Sequence, residues 1–288
     1  MSFVERHGVV APEHPVLVLA LEGWIDAGFA AASAVGTLLE QIETERYATF
    51  DADDLVDRRS RRPRLRLDDG VRGEVSWSDP QLLVGADRLG SGIAVLTGVE
   101  PDYRWRAFAA DVTGLAVDLG VRLVVGLGGF PTATPHTRPV RLAATASSSM
   151  LAHKVGFIPG SIDVPAGIGD VIGSACSSAG IPSVGLWARV PHYVAGMAFT
   201  PAALALLEGL TAVSGILVDV DEIRESAAAA RLRVDELISQ SSEHLAMVRQ
   251  LEAQLGDGED LEVPGADDLP SGDEIAAELE RYLRGESQ

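Results

Sequence analysis

Polar side chains follow two apolar runs of this sequence at positions where a binding or acid–base site could form. His136 and Arg138 lie in GLGGFPTATPHTRPV, residues 126–140, directly after an apolar run. His192 and Tyr193 follow another apolar run through the segment WARVPHYVAG. An imidazole in such a loop could act as a general acid or base, and an arginine could hold a phosphate or carboxylate.

Carboxylates and aromatic rings also follow apolar runs in two further segments, EGWIDAG at 22–28 and GVEPDYRWRAF at 98–108. Their candidate ligand-binding residues are Glu22, Trp24, Asp26, Glu100, Asp102 and Arg104. Structural roles compete with binding here, because an aspartate before a helix often caps it and helix N-termini favour acids. Trp24 could pack, Arg104 could be solvated or ion-paired, and His192 could be a structural histidine.

The elements that must position these loops form an α/β pattern. Buried strands are predicted at 15–21, 92–97, 121–127, 140–146 and 182–188, with helices between them. Alternation of buried strands and helices predicts a mostly parallel, mixed sheet in a three-layer α/β/α sandwich. Because the carboxyl ends of parallel strands meet at one edge of the sheet, we expect the four polar loops to lie together there.

The sequence changes character after this sandwich, which we place at residues 1–218. Residues 219–288 are predicted to form a helical, acidic C-terminal segment with a linker near 256–270. Between Leu251 and Gln288 there are twelve acids and two arginines. Such a segment could keep the protein in solution or dock on a basic partner.

Charge and motifs exclude several classes of function. The formal net charge of −19 disfavours nucleic acid and anionic membranes as partners. We find no membrane-spanning run and no secretion signal, and the single cysteine permits no internal disulfide, so a cytoplasmic protein is expected. No serine-hydrolase elbow, zinc-ligand spacing or phosphate-binding loop occurs, so we predict no metal and no cofactor.

An arginine-rich run at 58–66 is unusual in so acidic a chain. It holds six arginines in nine residues. It could bind an anion or an acidic partner, or it could pair with the chain's own acids, such as Asp53 and Asp57.

The order and spacing of several segments give a resemblance that covers nearly the whole chain. They are EGWIDAG, FDADDLVDRRSRRP, GVEPDYRWRAF, GLGGFPTATPHTRPV, WARVPHYVAG and LPSGDEIAAELERYLR. Together they resemble the actinobacterial branch of the proteasome assembly chaperone 2 family. The resemblance implies a sandwich like that of purine nucleoside phosphorylases, and a role like that of eukaryotic members, which help to assemble the proteasome α-ring.

Two functions therefore compete. The first is a non-enzymatic, oligomeric binding or assembly factor that associates with itself, as a trimer, and with another protein. The second is a small-molecule enzyme or sensor of nucleoside phosphorylase or hydrolase type. Its pocket would be lined by Glu22, Asp26, His136, Arg138 and His192, with an aromatic ring of Trp24, Tyr103 or Tyr193 for stacking.

Overall fold

An eight-stranded mixed sheet forms the centre of the protein in a computed structural model that describes residues 3–254. The strands are β1 (Val4–Arg6), β2 (Val16–Glu22), β3 (Thr44–Phe50), β4 (Arg64–Asp68), β5 (Val71–Ser76), β6 (Gln81–Ala86), β7 (Gly92–Val99), β8 (Leu123–Thr132), β9 (Leu142–Ala146) and β10 (Ser183–Pro191). The order in the sheet is β1-β3-β6-β7-β2-β8-β10-β9, and β4 and β5 form a separate hairpin.

The four central strands, β7, β2, β8 and β10, run parallel, and antiparallel strands flank them on both sides. In β2, Val16 and Val18 are buried on one face while Leu17 and Leu19 are buried on the other. A strand covered on both faces must be apolar throughout, which is why these strands are readable as unbroken apolar runs. The predicted mixed α/β fold is confirmed.

Helices cover both faces of this sheet. They are α1 (Ala30–Gln41), α2 (Ala52–Leu55), α3 (Trp105–Asp118), α4 (Ser149–Val155), α5 (Ile168–Ser178), α6 (Thr200–Ser214), α7 (Asp221–Ser239) and α8 (Ser242–Gln254). One face carries α1 and α6, and the other carries α3 and α5. The helix α6 has proline in its first turn and ends at Ser214, just before Gly215, which adopts the left-handed conformation that favours glycine at this position.

The helices α7 and α8 continue the layer of α1 and α6. Ile223, Val234, Ile238 and Val248 belong to the same buried cluster as the sheet residues on that face. The boundary at residue 218 therefore crosses a continuous core, and it stays a prediction. The predicted linker near 256–270 and the final helix lie outside the described residues.

The connection between α6 and α7 is fastened to distant parts of the sandwich. The amide of Gln41 donates to the carbonyl oxygen of Asp219 at 2.7 Å and accepts from its backbone nitrogen at 2.8 Å. The buried carboxylate of Asp87 accepts from the backbone nitrogen of Leu217 at 2.8 Å, and from those of Leu89 and Ser91 at 2.9 Å each. These bonds hold the chain at the point where the sandwich passes into α7.

No helix in residues 3–254 is long and apolar enough to cross a membrane.

Candidate functional site

The parallel strands β2 and β8 separate near their carboxyl ends and leave an opening in the sheet. They pair from Val16–Leu123 only as far as Leu19–Gly126. Beyond this point β2 continues beside β7, and β8 continues beside β10. A single bridge between Asp26 and Gly129 rejoins the two sides. The central sheet thus contains a gap at the edge where open α/β sheets usually bind ligands.

A cavity of about 970 Å³ occupies this opening. Its walls come from the ends of β2 and β7, from α1 and α5, and from β8, β9 and β10. Four of the ten candidate residues line it, namely Glu22, Trp24, Asp26 and Glu100. The prediction that the exits of β2 and β7 lie together at one sheet edge is confirmed, while ligand binding by these four residues stays a prediction.

Glu100 is the most buried carboxylate of the cavity, with 6% of the residue exposed. Burial raises the pKa of its carboxyl group, and the backbone N–H of Ile168 and the guanidinium of Arg61 oppose that rise. Its Oε1 lies 3.7 Å from Nη2 of Arg61. In the part of the chain that the structure describes, no hydrogen-bond partner reaches Oε2, which is fully buried.

Gly23 allows this arrangement. Its φ of +133° is one that residues with a side chain rarely adopt. A β-carbon there would lie 2.7 Å from the guanidinium nitrogens of Arg61 and 2.8 Å from Cγ of Glu100. A side chain at residue 23 would therefore displace the arginine and the glutamate from their present positions over the backbone.

Asp26 acts as a cap. Its two carboxylate oxygens accept hydrogen bonds from the backbone nitrogens of Ala31, at 2.8 Å, and Ala32, at 3.0 Å, in the first turn of α1. Asp170 likewise accepts from the backbone nitrogen of Gly167 at the start of α5. The positive ends of both helices at the cavity are thus neutralised by the protein's own carboxylates.

Asp102 and Arg104 lie outside the cavity lining. Asp102 accepts from the backbone nitrogen of Asp57 at 2.8 Å and from Nε of Arg61 at 3.2 Å. Arg104 places its guanidinium 5.5 Å from the ring centre of Phe3. The helix α3 begins at Trp105, directly after Arg104, which adopts a left-handed conformation with φ of 57°.

The arginine-rich run mostly meets the chain's own acids. Arg58 pairs with Asp79 at 2.7 Å and with Asp53 at 3.4 Å. Arg61 pairs with Asp102 and Glu100. Several of these acids lie beyond the neighbouring positions 51–57 that the sequence suggested, and only the folded chain brings them together.

The two histidine-bearing loops, after β8 and after β10, form a separate network. His136 is 2% exposed; its Nδ1 lies 2.7 Å from the hydroxyl of Tyr193 and its Nε2 lies 2.9 Å from Asp235 of α7. Burial raises the pKa of Tyr193 to about 12. The ring of His192 packs edge-on against Tyr193, with the ring centres 5.3 Å apart.

None of the three aromatic residues of this network, nor the nearby Arg138, lines the cavity. Arg138 is exposed in the same loop. His136, His192 and Tyr193 therefore lie together, as expected for loops that follow two neighbouring parallel strands. The contact of His136 with Asp235, however, attaches its loop to α7. A binding role for these four residues stays a prediction.

Trp187, Asp170 and Arg64 line the cavity but were not among the ten candidate residues, although Arg64 belongs to the arginine-rich run. Trp187 packs on Gly128 of β8, and its Nε1 donates to the hydroxyl of Thr145 at 3.2 Å. Arg64 of β4 reaches the cavity from the hairpin. The glycines at 126, 128 and 185 were the available signal for Trp187, because glycine within a strand often marks a close approach of another group.

Nothing in residues 3–254 forms a group of three or more histidine, cysteine, aspartate or glutamate side chains able to hold a metal ion. Cys176 is buried in α5, where burial raises the pKa of its thiol. Such a thiol is a poor nucleophile.

Comparison with protein families gives a match to the model of the PAC2 family over residues 20–238. No match was found among curated proteins.

Several solved structures of similar fold come from actinobacteria. A Mycobacterium tuberculosis protein of unknown function is 33% identical, with a TM-score of 0.82 over 87% of this chain and 90% of that chain. A PAC2 family protein from Streptomyces avermitilis is 38% identical, and a proteasome-assembly chaperone homologue from M. tuberculosis is 36% identical. Both have a TM-score of 0.72 and cover 81% of this chain and 99% of their own.

Proposed function

Since the chain belongs to the PAC2 family, we propose that it is a non-enzymatic, self-associating binding factor of the assembly-chaperone type. The observation that carries this proposal is the hairpin of β4 and β5, residues 64–76, which we call the arm. Every residue of both strands is exposed. A lone two-stranded hairpin is only marginally stable in water, so a covering partner would stabilise the arm.

The arm exposes apolar side chains that nothing in residues 3–254 covers. Leu65 faces Val75 across the hairpin, and 59% of Leu67 and 68% of Val71 are exposed. Trp77, just after the arm, is also exposed, with Arg58 stacked 4.7 Å from its ring centre. Exposed apolar side chains grouped in one hairpin and flanked by charges are typical of a protein contact surface.

Charge favours a second copy of this chain as the partner that covers the arm. Residues 58–76 contain seven arginines and three acids, a net charge of +4, whereas the whole chain carries −19. The rest of the molecule therefore carries −23, and it attracts residues 58–76 of another copy. The positive charge of that segment lies at the base of the arm, in residues 58–62, because the arm itself has three arginines and three acids. The arm contacts a different patch from itself in this arrangement. A contact of that kind gives a closed ring when its rotation closes and a filament when it does not. We propose a trimer.

Assembly of another protein is the second part of the proposal. The support is the 36% identical M. tuberculosis protein that is described as a proteasome-assembly chaperone homologue. Proteasome subunits of the host are accordingly the partner to test. Their rate of assembly, followed by native mass spectrometry, should rise when this protein is added, and an unchanged rate contradicts the assembly role.

Self-association is tested by sedimentation equilibrium over a range of concentrations. The double variant Leu67→Asp/Val75→Asp should shift the protein to monomer, because it places charges in the apolar face. Leu232→Asp is the matched control, since Leu232 is 69% exposed on α7, away from the arm, and it should leave the oligomer intact. A wild-type monomer, or an oligomer that the double variant leaves unchanged, contradicts the arm as the contact surface.

A further inference from the structure

The cavity between β2 and β8 presents an acceptor that lacks a donor. Oε2 of Glu100 is buried without a hydrogen-bond partner among the described residues. A buried carboxylate oxygen left unpaired is costly, and native proteins seldom tolerate one. Arg61 and the Ile168 N–H interact with the ionised form of the same carboxyl group. Oε2 can therefore accept a hydrogen bond from a donor that enters the cavity.

The charge of the cavity walls selects a cation. Four carboxylates line the cavity, those of Glu22, Asp26, Glu100 and Asp170, against the guanidinium of Arg64. The guanidinium of Arg61 lies 3.7 Å from Glu100, so these six groups together carry a formal charge of −2. An anion would ordinarily be attracted to helix N-termini such as those of α1 and α5. Here Asp26 and Asp170 already accept from the backbone nitrogens of these two helices. An anionic ligand would meet net negative charge and capped helices.

Two indole rings lie on the walls. Trp24 packs against the backbone at Gly167, where a β-carbon would lie 2.8 Å from its Cδ1, and Trp187 packs on Gly128. Both line the cavity, and Trp24 keeps 38% of its surface exposed. The face of an indole attracts organic cations and planar groups.

We propose that this cavity binds a small organic cation, an amine, amidine or guanidine, whose N–H group donates to Oε2 of Glu100 while its body lies against Trp24 or Trp187. The cavity of about 970 Å³ has room for a molecule of metabolite size. The site is independent of the arm, so it stands whether or not self-association is confirmed.

Three probes of nearly equal shape test the charge preference: benzamidine, benzamide and benzoate. The full-length protein is titrated with each, by calorimetry and by the indole N–H signals in NMR spectra. We expect benzamidine to bind at least about tenfold more tightly than the other two. Agmatine and spermidine extend the test to flexible cations. Equal or tighter binding of benzoate overturns the proposal, as does the failure of all three cations to bind at about 10 mM.

Two variants locate the site. Glu100→Gln keeps the shape of the side chain and an acceptor for Ile168, and it should abolish the preference for benzamidine over benzamide. Glu225→Gln, on the exposed face of α7, is the control and should change nothing. Unchanged benzamidine affinity in Glu100→Gln overturns the assignment.

Gly126→Val tests the cavity without altering charge. A β-carbon at Gly126 meets only Cα of Gly185, at 3.6 Å, so the added side chain enters the cavity. It should prevent benzamidine binding while the protein stays folded, and this variant decides the outcome if Glu100→Gln fails to fold. Full benzamidine affinity in Gly126→Val places binding elsewhere and overturns the proposal.

Discussion

The hydroxyl of Tyr193 lies 2.7 Å from both the backbone nitrogen and Nδ1 of His136. The backbone N–H donates to the hydroxyl oxygen, so the hydroxyl hydrogen is available for Nδ1. With Nδ1 as acceptor, the ring proton lies on Nε2 and is donated to Asp235 of α7. One tyrosine thus sets the tautomer through which the loop after β8 holds the C-terminal helices.

Removing this hydroxyl should loosen that attachment. Tyr193→Phe leaves a buried N–H and a buried ring nitrogen of His136 unpaired, and we expect it to lower the free energy of unfolding by about 1–3 kcal/mol. Urea denaturation measures the change. Tyr103→Phe is the control, because Tyr103 is 53% exposed and should change stability little. Equal stability of the two variants contradicts the role of the network.

Alkaline pH should lower the stability of the fold by ionising the Tyr193 hydroxyl. The folded pKa of Tyr193 is raised to about 12, whereas the unfolded value is about 10. Its stabilising contribution is therefore complete below the unfolded pKa and is lost as pH rises through the folded pKa. Urea denaturation between about pH 9 and pH 12 should show a steeper loss in the wild type than in Tyr193→Phe. Parallel curves contradict the raised pKa.

The carboxylate of Asp87 should make the stability of the fold decrease at acid pH rather than at alkaline pH. Burial alone would raise the pKa of its carboxyl group, but the backbone N–H groups of Leu217, Ser91 and Leu89 together outweigh burial and lower that pKa. The stability from ionised Asp87 is present above the unfolded pKa and is lost as pH falls through the folded pKa. Asp87→Asn should therefore cost about 2 kcal/mol at neutral pH, and the difference should shrink on acidification.

The matched control for Asp87 is Asp54→Asn, at an exposed position of α2. This variant should follow the wild-type curve across the pH range in urea denaturation. A constant difference between Asp87→Asn and the wild type from neutral to acid pH would show that the carboxylate charge is not what holds Leu217.

The two glycines of β8 should differ in their tolerance of a side chain. A β-carbon at Gly128 would collide with the six-membered ring of Trp187, whereas one at Gly126 meets only ordinary contact. Gly128→Ala should lower the melting temperature and the free energy of unfolding by about 1–3 kcal/mol, with Gly126→Ala near wild type. Equal effects on thermal unfolding contradict the packing of Trp187 on Gly128.

The central strands were predictable because each is buried on both faces and must be apolar along its length. The arm was not predicted, because both of its strands are exposed and neither contains the continuous apolar run by which the buried strands were identified. A signal was present in Asp69-Gly70, a pair typical of a two-residue hairpin turn, and both residues adopt positive φ.

The site was predictable only as far as strand direction fixes it. Parallel strands bring Glu22 and Glu100 to one edge, and the sequence shows both. The separation of β2 from β8 depends on packing across several strands, which no local pattern records. Likewise, His136 could not be assigned to a structural network from its own loop, because Asp235 lies 99 residues further along the chain.

The hydrogen bonds that hold the connection between α6 and α7 can form only late in the synthesis of the chain. Gln41 and Asp219 are 178 residues apart, and Asp87 and Leu217 are 130 apart. A ribosome makes the chain from its amino terminus, so Gln41 and Asp87 emerge long before the groups that they bind. Contacts of such large sequence separation form late in folding. A nascent chain that has reached only α6 keeps the side chain of Asp87 without its Leu217 partner, and the sandwich completes this contact only when residues 217–219 have left the ribosome.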